Sequence, residues 1–107
     1  CTQKNKEPAL KILNHFKIKE YFNGYAFGDS LDVLKPDPSM VKFATKNFVD
    51  KKNIYIGDSN TDLKTAKNSE SIFILFTEGY RTENLSDLKP DYHFSNYSDL
   101  VSLIRKI

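Results

Sequence analysis

Five consecutive apolar residues, Ile72-Phe73-Ile74-Leu75-Phe76, interrupt a chain in which 28% of the residues are charged. A strand with one wet face alternates apolar and polar side chains, so an unbroken run predicts a strand covered on both faces. A parallel sheet flanked by helices meets that condition. Asn53-Ile54-Tyr55-Ile56-Gly57 has the same buried-strand pattern, and Tyr92-His93-Phe94 and Tyr25-Ala26-Phe27 read as weaker strands, the latter after the turn signal Asn23-Gly24. Helical spacing separates them. One helix is expected from Lys6 to near Phe16 and a short one around Ile18 to Phe22. Another, of about three turns, follows Pro38 through Met40, Val41, Phe43, Ala44 and Phe48. A fourth runs from Asp58 through Asp62, Leu63 and Ala66, and the last from Tyr97 to Ile107. Alternating strands and helices predict an α/β sheet with parallel, right-handed connections. Ligands of such sheets bind beyond the carboxyl ends of the strands.

Length and composition narrow the classes. With 107 residues and 39% hydrophobic content, residues 1–107 are expected to form one domain or part of one. The single Cys1 forms no internal disulfide, which fits a reducing compartment. No apolar run approaches the roughly 20 residues that span a bilayer, and no leader pattern is visible, so a soluble cytoplasmic protein without membrane partners is expected. The net charge of +2 comes with dispersed lysines, which argues against a nucleic-acid footprint. Phe22, Tyr25, Phe27, Tyr92, Phe94 and Tyr97 fall at positions a core would claim. His15 and His93 lack metal-ligand spacing.

Three segments could carry chemistry. In Ile54-Tyr-Ile-Gly-Asp-Ser-Asn-Thr-Asp62, Asp58 and Asp62 stand four positions apart across a strand end and a helix start, facing one spot. Such oxygen ligands suit a hard cation like magnesium, with Gly57 allowing close backbone approach and Ser59 and Asn60 orienting the carboxylates or an anion. Helix capping by Asp58 and a dipole role for Asp62 explain the same pattern equally well. In Lys35-Pro-Asp-Pro38, Pro36 restricts Lys35 to extended backbone just before a helix, where its ammonium can balance phosphoryl charge or simply meet solvent. Thr2 sits where a strand would end, with a hydroxyl available to an anion.

Taken together and in this order, these segments resemble the haloacid dehalogenase superfamily, specifically its phosphoglycolate-phosphatase-like branch, over the whole chain. The resemblance implies a Rossmann-like, three-layer α/β/α core with a mostly parallel sheet, of which residues 1–107 are the C-terminal part. It further implies magnesium held by Asp58 and Asp62, phosphate contacts from Thr2, Gln3 and Lys35, and a catalytic charge-balancing role for Lys35. Thr77-Glu-Gly-Tyr-Arg81 and Lys89-Pro-Asp-Tyr92 add to the similarity. The implied activity is hydrolysis of a small phosphorylated metabolite through a phosphoaspartate. A sugar-phosphate mutase of the same superfamily and a non-catalytic interaction domain share these motifs.

The resemblance also has departures. The family's Asp-x-Asp nucleophile strand is absent, as is the cap domain, and Asp29, Asp32 and Asp37 lie in the wrong places to substitute. The family's first strand lies between the one ending at Thr2 and the one ending at Gly57, so the chain alone is expected to be inactive and to bind the cation weakly. It is also expected to need a missing N-terminal segment or a second copy to complete the sheet. Gln3 stands where Asn is common, and Glu70 replaces a Gly, removing the preferred left-handed helix cap.

Overall fold

The apolar run Ile72–Phe76 is the central strand, β2, of a three-stranded parallel sheet in a computed structural model that describes residues 1–107. Its neighbours are β1, Ile54–Gly57, and β3, Tyr92–Phe94. Ile54 stands opposite Ile72 and Gly57 opposite Leu75, while Ile74 stands opposite Tyr92. Phe73, Ile74 and Leu75 are fully buried, as expected for a strand covered on both faces. The chain divides into two compact units, residues 1–51 and 52–107, and the sheet lies wholly in the second.

In that second unit, helix α3, Asn60–Asn68, packs on β1 and β2 through Leu63, Thr65 and Ala66. It ends in a left-handed residue despite lacking glycine. Glu70 adopts φ 55°, its amide donates to the Lys67 carbonyl, and the Ser71 amide closes onto the Ala66 carbonyl at 2.8 Å. These are the two bonds of a Schellman cap, so the expected loss of that cap is corrected: the bonds compensate for the unfavourable φ. At the sheet's far side the Asp91 carboxylate accepts the Phe73 amide at 2.8 Å, which ties the segment entering β3 to β2. A four-residue helix, α4, Leu85–Leu88, was not evident from periodicity. It is too short for a repeat, and Leu88 alone is buried from it. The final helix is divided into a 3-10 turn, Tyr97–Asp99, and α5, Leu100–Arg105. Asn96 caps that turn by accepting the Ser98 amide.

The first unit contains α1, Lys6–His15, a 3-10 turn at Lys19–Tyr21, and α2, Ser39–Ala44. Helix α2 is half the expected length. The Thr45 hydroxyl turns back onto the Val41 carbonyl at 2.8 Å, and beyond it Phe48 and Val49 are exposed, so no burial rewards another turn. Tyr25 to Phe27 is not a regular strand. Bonds from the Thr2 amide to the Ala26 carbonyl and from the Gly28 amide to the Lys4 carbonyl bracket an extended segment too short to form a ladder. Ala9, Ala26, Phe27, Met40 and Val41 form this unit's buried set. Of the aromatic residues assigned to a core, Phe27 and Phe94 are buried, whereas Phe22, Tyr92 and Tyr97 are exposed. For the tyrosines this keeps a polar hydroxyl in water. No helix is long and apolar enough to cross a membrane.

Candidate metal centre

Strand β1 stops at Gly57 and the cap of α3 is Ser59, so Asp58 belongs to neither element. This placement bears on the capping reading of Asp58 and leaves Asp62 in the first turn, where the helix dipole favours an acid. Ser59 caps the helix, accepting the Asp62 amide at 3.2 Å, and the Asp58 carboxylate is therefore not used as a cap.

Asp62, in the first turn of α3, is 8% exposed. Its Oδ2 accepts the Asp58 amide at 3.1 Å and the Ser59 hydroxyl at 2.9 Å, and its Oδ1 accepts the Tyr55 hydroxyl at 3.0 Å. A buried carboxylate needs such donors, because an ionised group without them is expensive to desolvate. The Tyr55 hydroxyl is correspondingly held neutral: burial, then the adjacent Asp62 charge, raises its pKa well above the usual tyrosine value. Gly57 makes room for this arrangement. A Cβ there would overlap the Asp62 side chain, approaching Oδ2 to 2.6 Å. The need is for space alone, since no glycine in the chain has positive φ.

The Asp58 side chain has different contacts. Its Oδ2 accepts the Tyr80 amide at 2.9 Å, from the loop that follows β2. Its Oδ1 has no donor in the protein. Asn60 begins α3 without a side-chain hydrogen bond. The structure thus brings Gly57, Asp58, Ser59 and Asp62 together and adds Tyr55, which sequence reasoning missed, and Gly79 and Tyr80, which it named only within the Thr77 to Arg81 similarity and gave no role. A tyrosine within an aliphatic strand, seven residues before Asp62, was the available signal. The donor chemistry fits a hard cation: one carboxylate oxygen at a strand's carboxyl end suits a magnesium ion that keeps several waters. No group of three or more His, Cys, Asp or Glu side chains is assembled to hold a metal.

Thr2, Gln3 and Lys35 lie in the first unit. The Thr2 hydroxyl accepts the Lys4 amide at 3.1 Å, which fixes its orientation within a local turn while its own proton can still be donated. Gln3 is exposed, and its carbonyl lies against Gly28 too closely for a side chain there. Lys35 is half-buried, joined to Pro36 by a cis peptide in the loop that leads to α2. Asp37 supports that helix start by accepting the Ser39 amide at 2.8 Å. The Ser39 hydroxyl, then its amide, hold the Asp37 carboxyl below the usual carboxylate value.

Comparison with known proteins places the chain among related sequences and folds. Phosphoglycolate phosphatase of Cereibacter sphaeroides (strain ATCC 17025 / ATH 2.4.3) is 36% identical over 107 residues, 100% of this chain and 49% of the relative. The Rhodobacter capsulatus phosphoglycolate phosphatase is 37% identical over 103 residues, covering 96% of this chain and 47% of the relative. The chain therefore spans about half the length of the curated relatives it matches. Among solved structures, a predicted phosphoglycolate phosphatase from Haemophilus somnus 129PT superposes with a TM-score of 0.78 at 27% identity. That match covers 88% of this chain and 43% of the other. The sequence profile of the haloacid dehalogenase-like hydrolases matches residues 1–76, and the chain belongs to that family.

Proposed function

We propose that this chain is the part of a magnesium-dependent phosphatase that holds the cation and balances phosphoryl charge, acting on small phosphate monoesters of the phosphoglycolate kind. The observation that carries this reading is the Asp58 carboxylate at the end of β1, one oxygen fixed by the Tyr80 amide and the other without a protein donor. The phosphoglycolate phosphatases matched over nearly the whole chain support the substrate class.

Within this reading Asp58 is the direct cation ligand. Asp62 contributes from behind, through the Asp58 amide and the Ser59 hydroxyl, because both of its oxygens already accept donors. Magnesium would supply neutralisation of phosphate charge as it develops. Lys35 would add an ammonium to the same charge, and Thr2 and Gln3 would hold phosphoryl oxygens. The nucleophilic carboxylate, supplied by a segment outside this chain, attacks phosphorus, the alcohol leaves, and water then hydrolyses the phosphoaspartate to release phosphate.

Phosphate release from phosphoglycolate, measured on the intact protein, tests the reading. Asp58→Asn and Lys35→Ala should each lower kcat by about 100-fold or more. Wild-type turnover in both variants would remove the mechanism, and an isomerised sugar phosphate as product would turn the assignment to a mutase.

A further inference from the structure

The loop after β2 is placed to act on Asp58. Strands β1 and β2 are parallel neighbours with Gly57 opposite Leu75, so residues 77–80 leave the sheet directly beside the end of β1. The contact there has two parts. The Tyr80 amide donates to Asp58 Oδ2 at 2.9 Å. One residue earlier, Gly79 lies so close that a Cβ would overlap both the Cβ and Oδ2 of Asp58 and come within 2.7 Å of its Cγ. A clash with the far end of a flexible side chain can relax by rotation. A clash with the Asp58 Cβ cannot, so any side chain at position 79 must displace the loop or the strand end.

We propose that Gly79 and the Tyr80 amide form a positioning clamp that aims the remaining oxygen of Asp58 at the cation, an inference that rests on Asp58 being the ligand. The physical need is clear. Magnesium demands near-ideal octahedral geometry, and a lone carboxylate at the end of a strand is free to swing about two torsions. An amide fixed to one oxygen through a charge-assisted hydrogen bond removes that freedom before binding. The Tyr80 side chain is not the working part: it is 93% exposed, and only the residue's backbone makes the contact.

Substitution at this glycine isolates the contact. Gly79 does not have positive φ, so Gly79→Ala imposes no forbidden backbone conformation and its effect reports the lost space. The experiment is manganese(II) titration of the intact protein followed by electron paramagnetic resonance, with manganese as the probe for a hard-cation oxygen site. Gly79→Ala should weaken manganese binding by about 10- to 100-fold, the range for residues that orient a metal ligand, while the urea unfolding midpoint stays near wild type. Asp58→Asn should abolish binding. If Gly79→Ala binds as tightly as wild type and Asp58→Asn does not bind, the clamp is wrong and the assignment of Asp58 survives. If Asp58→Asn binds as wild type does, or wild type does not bind, the ligand assignment fails and takes the clamp with it. Should Gly79→Ala not fold, hydrogen exchange at the Tyr80 amide decides. Exchange should be at least about tenfold faster in Asp58→Ala than in wild type, and equal rates would overturn the clamp.

Discussion

Residues 52–107 and residues 1–51 treat their polar side chains differently. In the later unit Tyr55, Asp58, Ser59 and Asp62 are joined by hydrogen bonds of 2.9–3.2 Å at the end of a strand whose neighbour is fully buried. In the earlier unit the Thr2 hydroxyl is fixed only by the amide two residues along, and Gln3 is exposed. A carboxylate placed between a strand and a helix cap is set by bonds that also hold the fold, so its geometry exists before any ligand arrives. A hydroxyl on a local turn takes its final geometry from what binds it.

The largest effect should come from removing the centre of the bonded network. Asp62→Ala deletes an acceptor of the Tyr55 hydroxyl, the Ser59 hydroxyl and the Asp58 amide. Hydrogen bonds to a charged group are each worth about 1.5–3 kcal/mol, and the three are not additive, so a loss of about 3 kcal/mol or more is expected. Thr2→Val, which loses one exposed bond to the Lys4 amide, should cost no more than about 1 kcal/mol. Urea unfolding of both variants checks the pair. Equal shifts in the midpoint would break the contrast between the units.

A second, smaller effect sharpens the comparison through pH. Tyr55→Phe keeps the ring and removes the donor to Asp62 Oδ1, a loss of about 1–3 kcal/mol. The Tyr55 pKa is raised by folding, so the neutral hydroxyl contributes fully below the ordinary value of 10.0 and the contribution is lost as pH climbs beyond it. Wild type should therefore lose stability above pH 10.0 more steeply than Tyr55→Phe. The first unit behaves in the opposite sense. The Asp37 pKa is lowered by Ser39, so its contribution is present above the ordinary carboxylate value of 3.8 and is lost as pH falls below it. Thermal unfolding across both pH limits separates the two. A Tyr55→Phe curve that parallels wild type at high pH would rule out the hydroxyl as the group responsible.

The contrast between units also explains what could be read in advance. Ile54 to Gly57, Ile72 to Phe76 and Tyr92 to Phe94 were legible because apolar runs bounded by turn residues leave few alternatives. Tyr25 to Phe27 had the same composition, but its partner segment near Thr2 is irregular, and pairing is not a local property. Asp58 and Asp62 stood out because four residues cover a strand end and a helix start. Gly79 and Tyr80 were named only within the Thr77 to Arg81 similarity, and their contact was not legible, since they meet Asp58 across 22 residues of chain through a backbone amide and an absent Cβ, neither of which leaves a compositional mark. Tyr55 was hidden for another reason: an aromatic ring in a buried strand reads as core, and only its hydroxyl does polar work.

The smallest effect concerns the other end of α3. Glu70 occupies a left-handed position at φ 55° that a side chain disfavours by about 1–2 kcal/mol. Glycine would relieve that cost and lose about 0.5–1 kcal/mol through the greater freedom of the unfolded chain. Glu70→Gly should therefore stabilise the protein by about 0.5–1 kcal/mol, read as a higher urea midpoint with an unchanged slope. The bonds from the Glu70 and Ser71 amides to the Lys67 and Ala66 carbonyls should persist, because both are made by backbone. The candidate site lies at the opposite end of the same helix, so manganese affinity should not follow the gain. A variant that gained stability and lost cation binding would mean that α3 transmits strain from its C-terminal cap to Asp62, and the independence assumed for the two helix ends would have to be abandoned.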